Sequence, residues 1–197
     1  MTDPITNRNL LIETQHKMFA DNVDGSTLCL DVGCGGAVRP GWIGIDKYTV
    51  APGVINADMC KLPYADNTVD IVHSSHSLEH LSIRKAHRAL YEWYRVLKPG
   101  GMLFLTMPDL DAIMRILLSP ITTAQRKWYM YTLYGWQTHM DSPDTIDAPD
   151  DPGQYHCSGH TMQTLTQELL DIGYVIHDSY LFEGYGTPGL YVNARKP

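Results

Sequence analysis

Short apolar runs set off by glycine, proline and aspartate dominate the first half of the chain, at 27–32, 42–46, 53–57, 68–73 and 102–106. Such runs, continuous rather than alternating with polar residues, predict strands buried on both faces of a sheet. A different period follows the fourth run. Ala86, Leu90, Trp93 and Leu97 recur at helical spacing behind a cap at Ser82, and Pro99-Gly100-Gly101 stops them. Strands alternating with loops or helices predict an α/β fold with a mostly parallel sheet. Asp31 and Asp46 are only 15 positions apart, so the first crossover has room for a loop or a single turn and hardly for a normal helix.

Helical spacing also joins Leu10, Leu11, Met18 and Phe19 within 7–20, and it returns after Pro108 at Leu110, Ile113, Met114 and Leu117, then from Thr122 through Trp128 to Leu133. Residues 107–160 therefore read as an insertion that sets specificity. Its stretch from Met140 to Gly153 is rich in Asp and Pro and predicts an exposed irregular loop. Calcium-loop spacing is missing there, so no metal is assigned to it. Thr161 is placed to cap a last helix bearing Met162, Leu165 and Leu169, ended by Gly173, with closing strands near 174–182 and 189–195.

The 197 residues are expected to form a single domain. With 44% hydrophobic and 19% charged residues the composition is globular, and a formal net charge of -7 without a Lys/Arg run argues against nucleic acid as the main partner. No leader pattern or bilayer-length apolar stretch is visible, which leads to the expectation of a cytoplasmic protein without membrane insertion. Cys29, Cys34, Cys60 and Cys157 are scattered, as suits reduced thiols.

The chemistry is concentrated in Leu28-Cys29-Leu30-Asp31-Val32-Gly33-Cys34-Gly35-Gly36, an apolar strand running into an acidic residue and a glycine turn. Glycines suit a sharp turn whose peptide planes lie against a nucleoside cofactor. A dinucleotide fingerprint would need glycine at position 38 and a helix opening there, but Val38 and Arg39-Pro40-Gly41 follow, so a pyrophosphate site is missing. A second apolar run ends in Asp46, which is placed to accept hydrogen bonds from ribose hydroxyls.

This pattern resembles the class I S-adenosylmethionine (SAM) dependent methyltransferases, whose first motif reads much like Asp31-Val32-Gly33-Cys34-Gly35-Gly36. Three more elements match in order: Val54 to Met59, Asn67 to His80, and Arg95 to Gly101. The closest flavour is a compact group with a Pro-Gly-Trp segment, here Pro40-Gly41-Trp42. The resemblance implies a Rossmann-like, doubly wound sheet of seven strands with an antiparallel last strand, and SAM as cofactor with S-adenosylhomocysteine as product. Carried over residue by residue, it implies cofactor contacts from Asp31, Gly33, Gly35, Asp46, Asp58, Met59, His73 and Ser74. Asp58 would meet the adenine amino group and the Met59 amide the ring. It also implies that the leading segment, 1–26, closes over the cofactor as a cap helix.

Methyl transfer from a sulfonium is an in-line displacement, so alignment and exclusion of water come first, and an oxygen acceptor needs a proton removed as well. His76 at the fourth strand tip, Asp109 after the fifth, and His156 beyond the acidic loop are the candidate catalytic residues. The aromatic block Tyr129, Tyr131, Tyr134, Trp136 and His139 is a candidate acceptor wall, with core packing as the plainer account. The expected reaction is methyl transfer to O or N of a small polar acceptor by a monomer or homodimer. A rival from another class is a SAM- or nucleoside-binding protein or partner subunit without catalysis, and a second is a metallohydrolase built on His76, Glu79 and His80.

His76-Ser77-Leu78-Glu79-His80 also spells the inverted zinc-protease pattern. On the cofactor motifs, the favoured account is that Glu79 and His80 open a helix and hydrogen-bond neighbouring backbone, so no metal is assigned. Some metal-assisted methyltransferases resemble this segment with Glu at the place of His76 and a distant His completing the site. His156 or His160 would fill that place here.

Overall fold

The computed structural model describes residues 27–135, 154–184 and 186–197. The expected leading helix, Trp136, His139 and the Asp/Pro-rich stretch lie outside the described residues. Seven strands, β1 (Cys29–Val32), β2 (Ile43–Asp46), β3 (Val54–Asn56), β4 (Val69–Ser75), β5 (Leu97–Pro108), β6 (Val175–Gly184) and β7 (Thr187–Arg195), form one sheet in the order β3-β2-β1-β4-β5-β7-β6. The pairings from β3 through β5 are parallel, and β7 runs antiparallel to both β5 and β6. This is the mostly parallel sheet with an antiparallel last strand that the motifs imply. Every residue of β1 is buried, as a central strand between two parallel neighbours requires.

Helix α1 (Ile83–Val96) makes the crossover from β4 to β5 and buries Ala86, Ala89, Leu90, Trp93 and Val96. Those side chains join Leu165, Leu169 and Ile172 of α4 (Met162–Ile172) and the strand residues Leu30, Val72, Leu103 and Val192 in the main core. Ser82 occupies the N-cap of α1 without a side-chain cap hydrogen bond, whereas Thr161 caps α4 in a reciprocal box with Thr164. Gly173 ends α4 in the left-handed conformation, as its position predicts. Between β5 and α4 lie α2 (Leu110–Leu118) and α3 (Thr123–Tyr134).

The first three connections, 33–42, 47–53 and 57–68, contain no helix. The short spacing from Asp31 to Asp46 thus gives a loop, and the same economy extends to the next two crossovers. Strand β5 differs from expectation at its start. It begins at Leu97 and runs through Lys98-Pro99-Gly100-Gly101, with Gly100 at φ 84°. No described helix is long and apolar enough to cross a membrane.

Candidate active site

In a sheet of this order, β1 lies where the chain turns from one half of the sheet to the other, and the crevice opens beyond the carboxyl ends of the strands. A cavity of about 610 Å³ lies there, lined among others by Gly33, Gly35, Asp46, Asp58, Met59 and His76. Its size suits a nucleoside-sized ligand.

The loop after β1 is built by its glycines. Gly33 has φ 72° and its amide donates to the Ile45 carbonyl at 2.8 Å; a Cβ there would stand 2.3 Å from Ser77 Cβ. Gly35, at φ 56°, has nothing within 4 Å of its Cβ position, so its bare backbone faces open space. The Gly35 amide donates to Asp46 Oδ2 at 2.9 Å, while Asp46 Oδ1 accepts from the amides of Tyr48 and Thr49 at 2.9 and 2.8 Å. Burial acts to raise the Asp46 pKa, but these backbone donors outweigh it and hold the carboxyl below its ordinary range. Three of the roughly four acceptor positions of this carboxylate are therefore occupied by amides of the loops after β1 and β2. Asp58 is held by the Cys60 amide at 2.9 Å and by Lys47 Nζ at 3.0 Å.

Asp31, His73 and Ser74 stand behind this wall rather than in it. The β1–β4 register places Asp31 beside His73. Nδ1 of His73 contacts Asp31 Oδ1 at 2.7 Å, and the Arg39 guanidinium donates to Nε2 at 3.0 Å. Since Arg39 has only donors, Nε2 must be the acceptor, and Nδ1 carries the proton that Asp31 receives. Burial, assisted by the Arg39 charge and opposed by Asp31, pushes the His73 pKa below its ordinary value. Ser74 and Ser77 share a hydrogen bond between their hydroxyls, and Ser77 Oγ also donates to the Val32 carbonyl at 3.3 Å. The role of Arg39 left no signal in the sequence, where it stood out only as an interruption of the glycine motif.

At the tip of β4 the chain turns through His76, which has φ 49° and belongs to no helix. The expected helix opening is instead an isolated 3₁₀ turn, Leu78–His80, separate from α1. His76 lines the large cavity and also a neighbouring one of about 480 Å³ that includes Trp128, Tyr131 and Thr132 of α3. Its Nδ1 lies 3.4 Å from Glu79 Oε1. Glu79 departs from the expected backbone-knitting role. The residue is 1% exposed, and among the described residues neither carboxylate oxygen has a hydrogen-bond partner. Burial pushes its pKa up, but His76, His80 and His156 outweigh that and bring it below the ordinary carboxylate value.

His156 arrives from far along the chain. Its amide donates to the Tyr134 carbonyl at 3.0 Å, and the Cys157 and Ser158 amides donate to the Glu79 carbonyl at 2.8 and 3.1 Å. Segment 154–158 is thereby tied to both α3 and the 3₁₀ turn. His160 does not join it; its Nε2 pairs with Glu168 Oε2 at 3.0 Å. Asp109 is elsewhere too, buried as the N-cap of α2 with its carboxylate accepting from the Asp111 amide at 3.2 Å, and it lines none of the cavities described above. Of the aromatic block, Tyr131 and Tyr134 line cavities beside His156, and Tyr129 lines neither.

Residues 43–105 match the family described as a methyltransferase domain. That match spans about a third of the chain, and the fold around it is the one shared by solved SAM-dependent methyltransferases. A protein of Encephalitozoon cuniculi that carries a provisional methyltransferase name is 27% identical over 176 residues, 82% of this chain and 77% of the relative. A SAM-dependent methyltransferase of Methanosarcina mazei superposes with a TM-score of 0.65 at 16% identity, covering 91% of this chain and 96% of its own. A chain from the complex of the Haloferax volcanii Trm112 methyltransferase activator with a provisionally named methyltransferase gives 0.57 at 14% identity, with coverages of 92% and 88%.

Proposed function

We propose that this methyltransferase alkylates oxygen or nitrogen of a small polar acceptor bound between β4, α3 and segment 154–158. The observation that carries this reading is the position of His76, which walls both the cavity at the glycine loop and the one lined by α3. A group placed there is in reach of an acceptor brought against the cofactor crevice.

The residues of the larger cavity fit the cofactor: an open face at Gly35, where a Cβ would project into the crevice, a fixed carboxylate at Asp46, and a wall from Asp58 and Met59. When bound, SAM supplies a methyl group activated on a sulfonium. Gly33 and Gly35 keep the loop low enough to admit it, Asp46 offers its remaining acceptor position to a ribose hydroxyl, and Asp58 with the Met59 backbone meets the base. Asp31, His73 and Ser74 hold the loop from behind as positioning residues. His76 takes the proton from a hydroxyl acceptor; with Nδ1 turned to buried Glu79, Nε2 is the ring atom left to receive it. Trp128, Tyr131 and Tyr134 limit the acceptor to one with a flat or apolar part beside its polar atom.

The test is calorimetric titration with S-adenosylhomocysteine on the wild type, Asp46→Ala and His76→Gln, followed by product formation from SAM over a panel of hydroxy and amino compounds. The reading expects weaker binding in Asp46→Ala, and unchanged binding with loss of turnover in His76→Gln. Homocysteine-product binding with no methylation of any acceptor would favour a non-catalytic binding protein.

A further inference from the structure

The contact of Glu79 with His76, at 3.4 Å, leaves its buried carboxylate incompletely satisfied. A carboxylate that is 1% exposed and accepts no hydrogen bond from the described residues is costly unless a cation stands close to it. Among the described residues no Lys or Arg is paired with it; the groups that face it are His76, His80 and His156.

Two of those rings are held in one tautomer. His156 Nδ1 lies 2.8 Å from the Thr132 carbonyl and His80 Nδ1 lies 3.2 Å from the Tyr155 carbonyl. A carbonyl only accepts, so each Nδ1 carries the hydrogen, and in the neutral ring Nε2 keeps the lone pair. Imidazoles whose outer nitrogen is fixed by a backbone carbonyl while the inner one stays open are prepared as metal ligands. The rings of His80 and His156 meet edge-on with centroids 4.9 Å apart, and His156 Nε2 is 4.0 Å from Glu79 Oε1.

We propose that Glu79, His80 and His156 form a binding site for a divalent transition-metal cation of the zinc class. One ligand atom from each of the three lies within 4.8 Å of the others. Ligands about 2.05 Å from a tetrahedral ion stand about 3.3 Å apart, so the set closes when its widest edge draws in by about 1.5 Å. Two imidazoles and one carboxylate select zinc, iron or cobalt over magnesium or calcium, which prefer oxygen. Three protein ligands leave a position open, as in metal sites that take a further ligand.

The place of the cluster gives the open position a use. His80 walls the cofactor cavity, while Glu79 and His156 wall a third cavity of about 290 Å³ lined by Met107, Leu110, Ile113 and Tyr134. A cation between them would orient an acceptor through an oxygen atom and lower the pKa of a bound hydroxyl. That use rests on the proposed methyl transfer; the binding itself does not.

The experiment is titration of the full chain, stripped with chelator, with Zn²⁺, and in parallel with Co²⁺ followed by its visible absorption. Wild type, His156→Asn, Glu79→Gln and Cys157→Ser are compared, the last because exposed Cys157 lies near the cluster. Expected are one equivalent of bound metal, affinity about tenfold or more weaker in His156→Asn and Glu79→Gln, and retention in Cys157→Ser. His156→Asn keeps the test open if the buried Glu79 variant does not fold. Absence of stoichiometric binding by the wild type, or loss only in Cys157→Ser, overturns the site. S-adenosylhomocysteine binding is measured on the same samples, so failure of the methyltransferase reading leaves the metal result standing, and the reverse.

Discussion

Replacement of Gly33 by alanine separates the two reasons for glycine in the loop after β1. The first is backbone: at φ 72° an L side chain costs about 1–2 kcal/mol. The second is space, since the new Cβ would lie 2.3 Å from Ser77 Cβ and 2.6 Å from its Oγ. Ser77 cannot swing aside without losing its hydrogen bonds to Ser74 and to the Val32 carbonyl, so the clash adds about 1–3 kcal/mol. Lower entropy of the unfolded chain returns about 0.4–1 kcal/mol. The net loss for Gly33→Ala is then about 2–4 kcal/mol, or about 4–15 °C in Tm for a chain of this size. Gly35→Ala carries the backbone part alone, because nothing lies within 4 Å of its Cβ, and loses about 1 kcal/mol or less. Urea unfolding of both variants, analysed with a common slope, measures the difference. Pairing Gly33→Ala with Ser77→Gly, which removes the clashing Cβ, should recover part of the loss as a favourable coupling. Equal midpoints for the two alanine variants, or no coupling in the double variant, would refute the steric account.

Three further outcomes follow from other parts of the molecule. The His73 pKa is lowered on folding from its ordinary 6.5, so the unfolded chain binds the extra proton; the neutral ring's stabilisation is complete above about pH 6.5 and is lost as pH falls through the folded value. Urea midpoints between about pH 8 and about pH 5 should fall less steeply in His73→Asn than in the wild type, and parallel slopes would contradict this. Asp109→Asn should retain the α2 cap within a few tenths of a kcal/mol, while Asp109→Ala loses about 1 kcal/mol, and neither should abolish turnover; loss of turnover in a folded Asp109→Asn would restore Asp109 to the chemistry. Trp93→Phe removes the indole N–H that meets the Met59 carbonyl at 3.1 Å, so thermal unfolding should reveal a loss of about 1–3 kcal/mol.

Strand positions were legible because a parallel sheet buried on both faces demands continuous apolar runs, as at Cys29–Val32 and Ile43–Asp46. Helix α1 was legible from its stripe, and α4 from Thr161 and Gly173 at its ends. The start of β5 was not, because Pro99-Gly100-Gly101 carries the signature of a stop while the sheet supplies partners that hold it extended. Candidate residues divide in the same way. Gly33, Gly35, Asp46, Asp58 and Met59 reach the crevice because strand ends converge there, and local spacing records strand ends. Whether a residue at such an end points into the crevice or beneath it depends on register, which is why Asp31 and His73 found each other instead. Asp109 has the sequence of a helix cap as much as that of a base, and the cap prevailed. The approach of His156 to Glu79 is fixed by backbone hydrogen bonds from residues 157 and 158, which no short-range pattern encodes.

The helix-free connections from β1 to β4 make the crevice wall and the sheet's edge out of the same peptides. Tyr48 and Val50, 76% and 95% exposed, sit in the loop whose amides hold Asp46, and Ile55 of the edge strand is 39% exposed. A nucleoside seated in the crevice would act as a packing element for that half of the sheet, taking part of the place of a helix. Backbone amides of 33–36 and 46–56 should consequently exchange slowly with solvent only when the crevice is filled, coupling occupancy to the local order of a whole sheet edge.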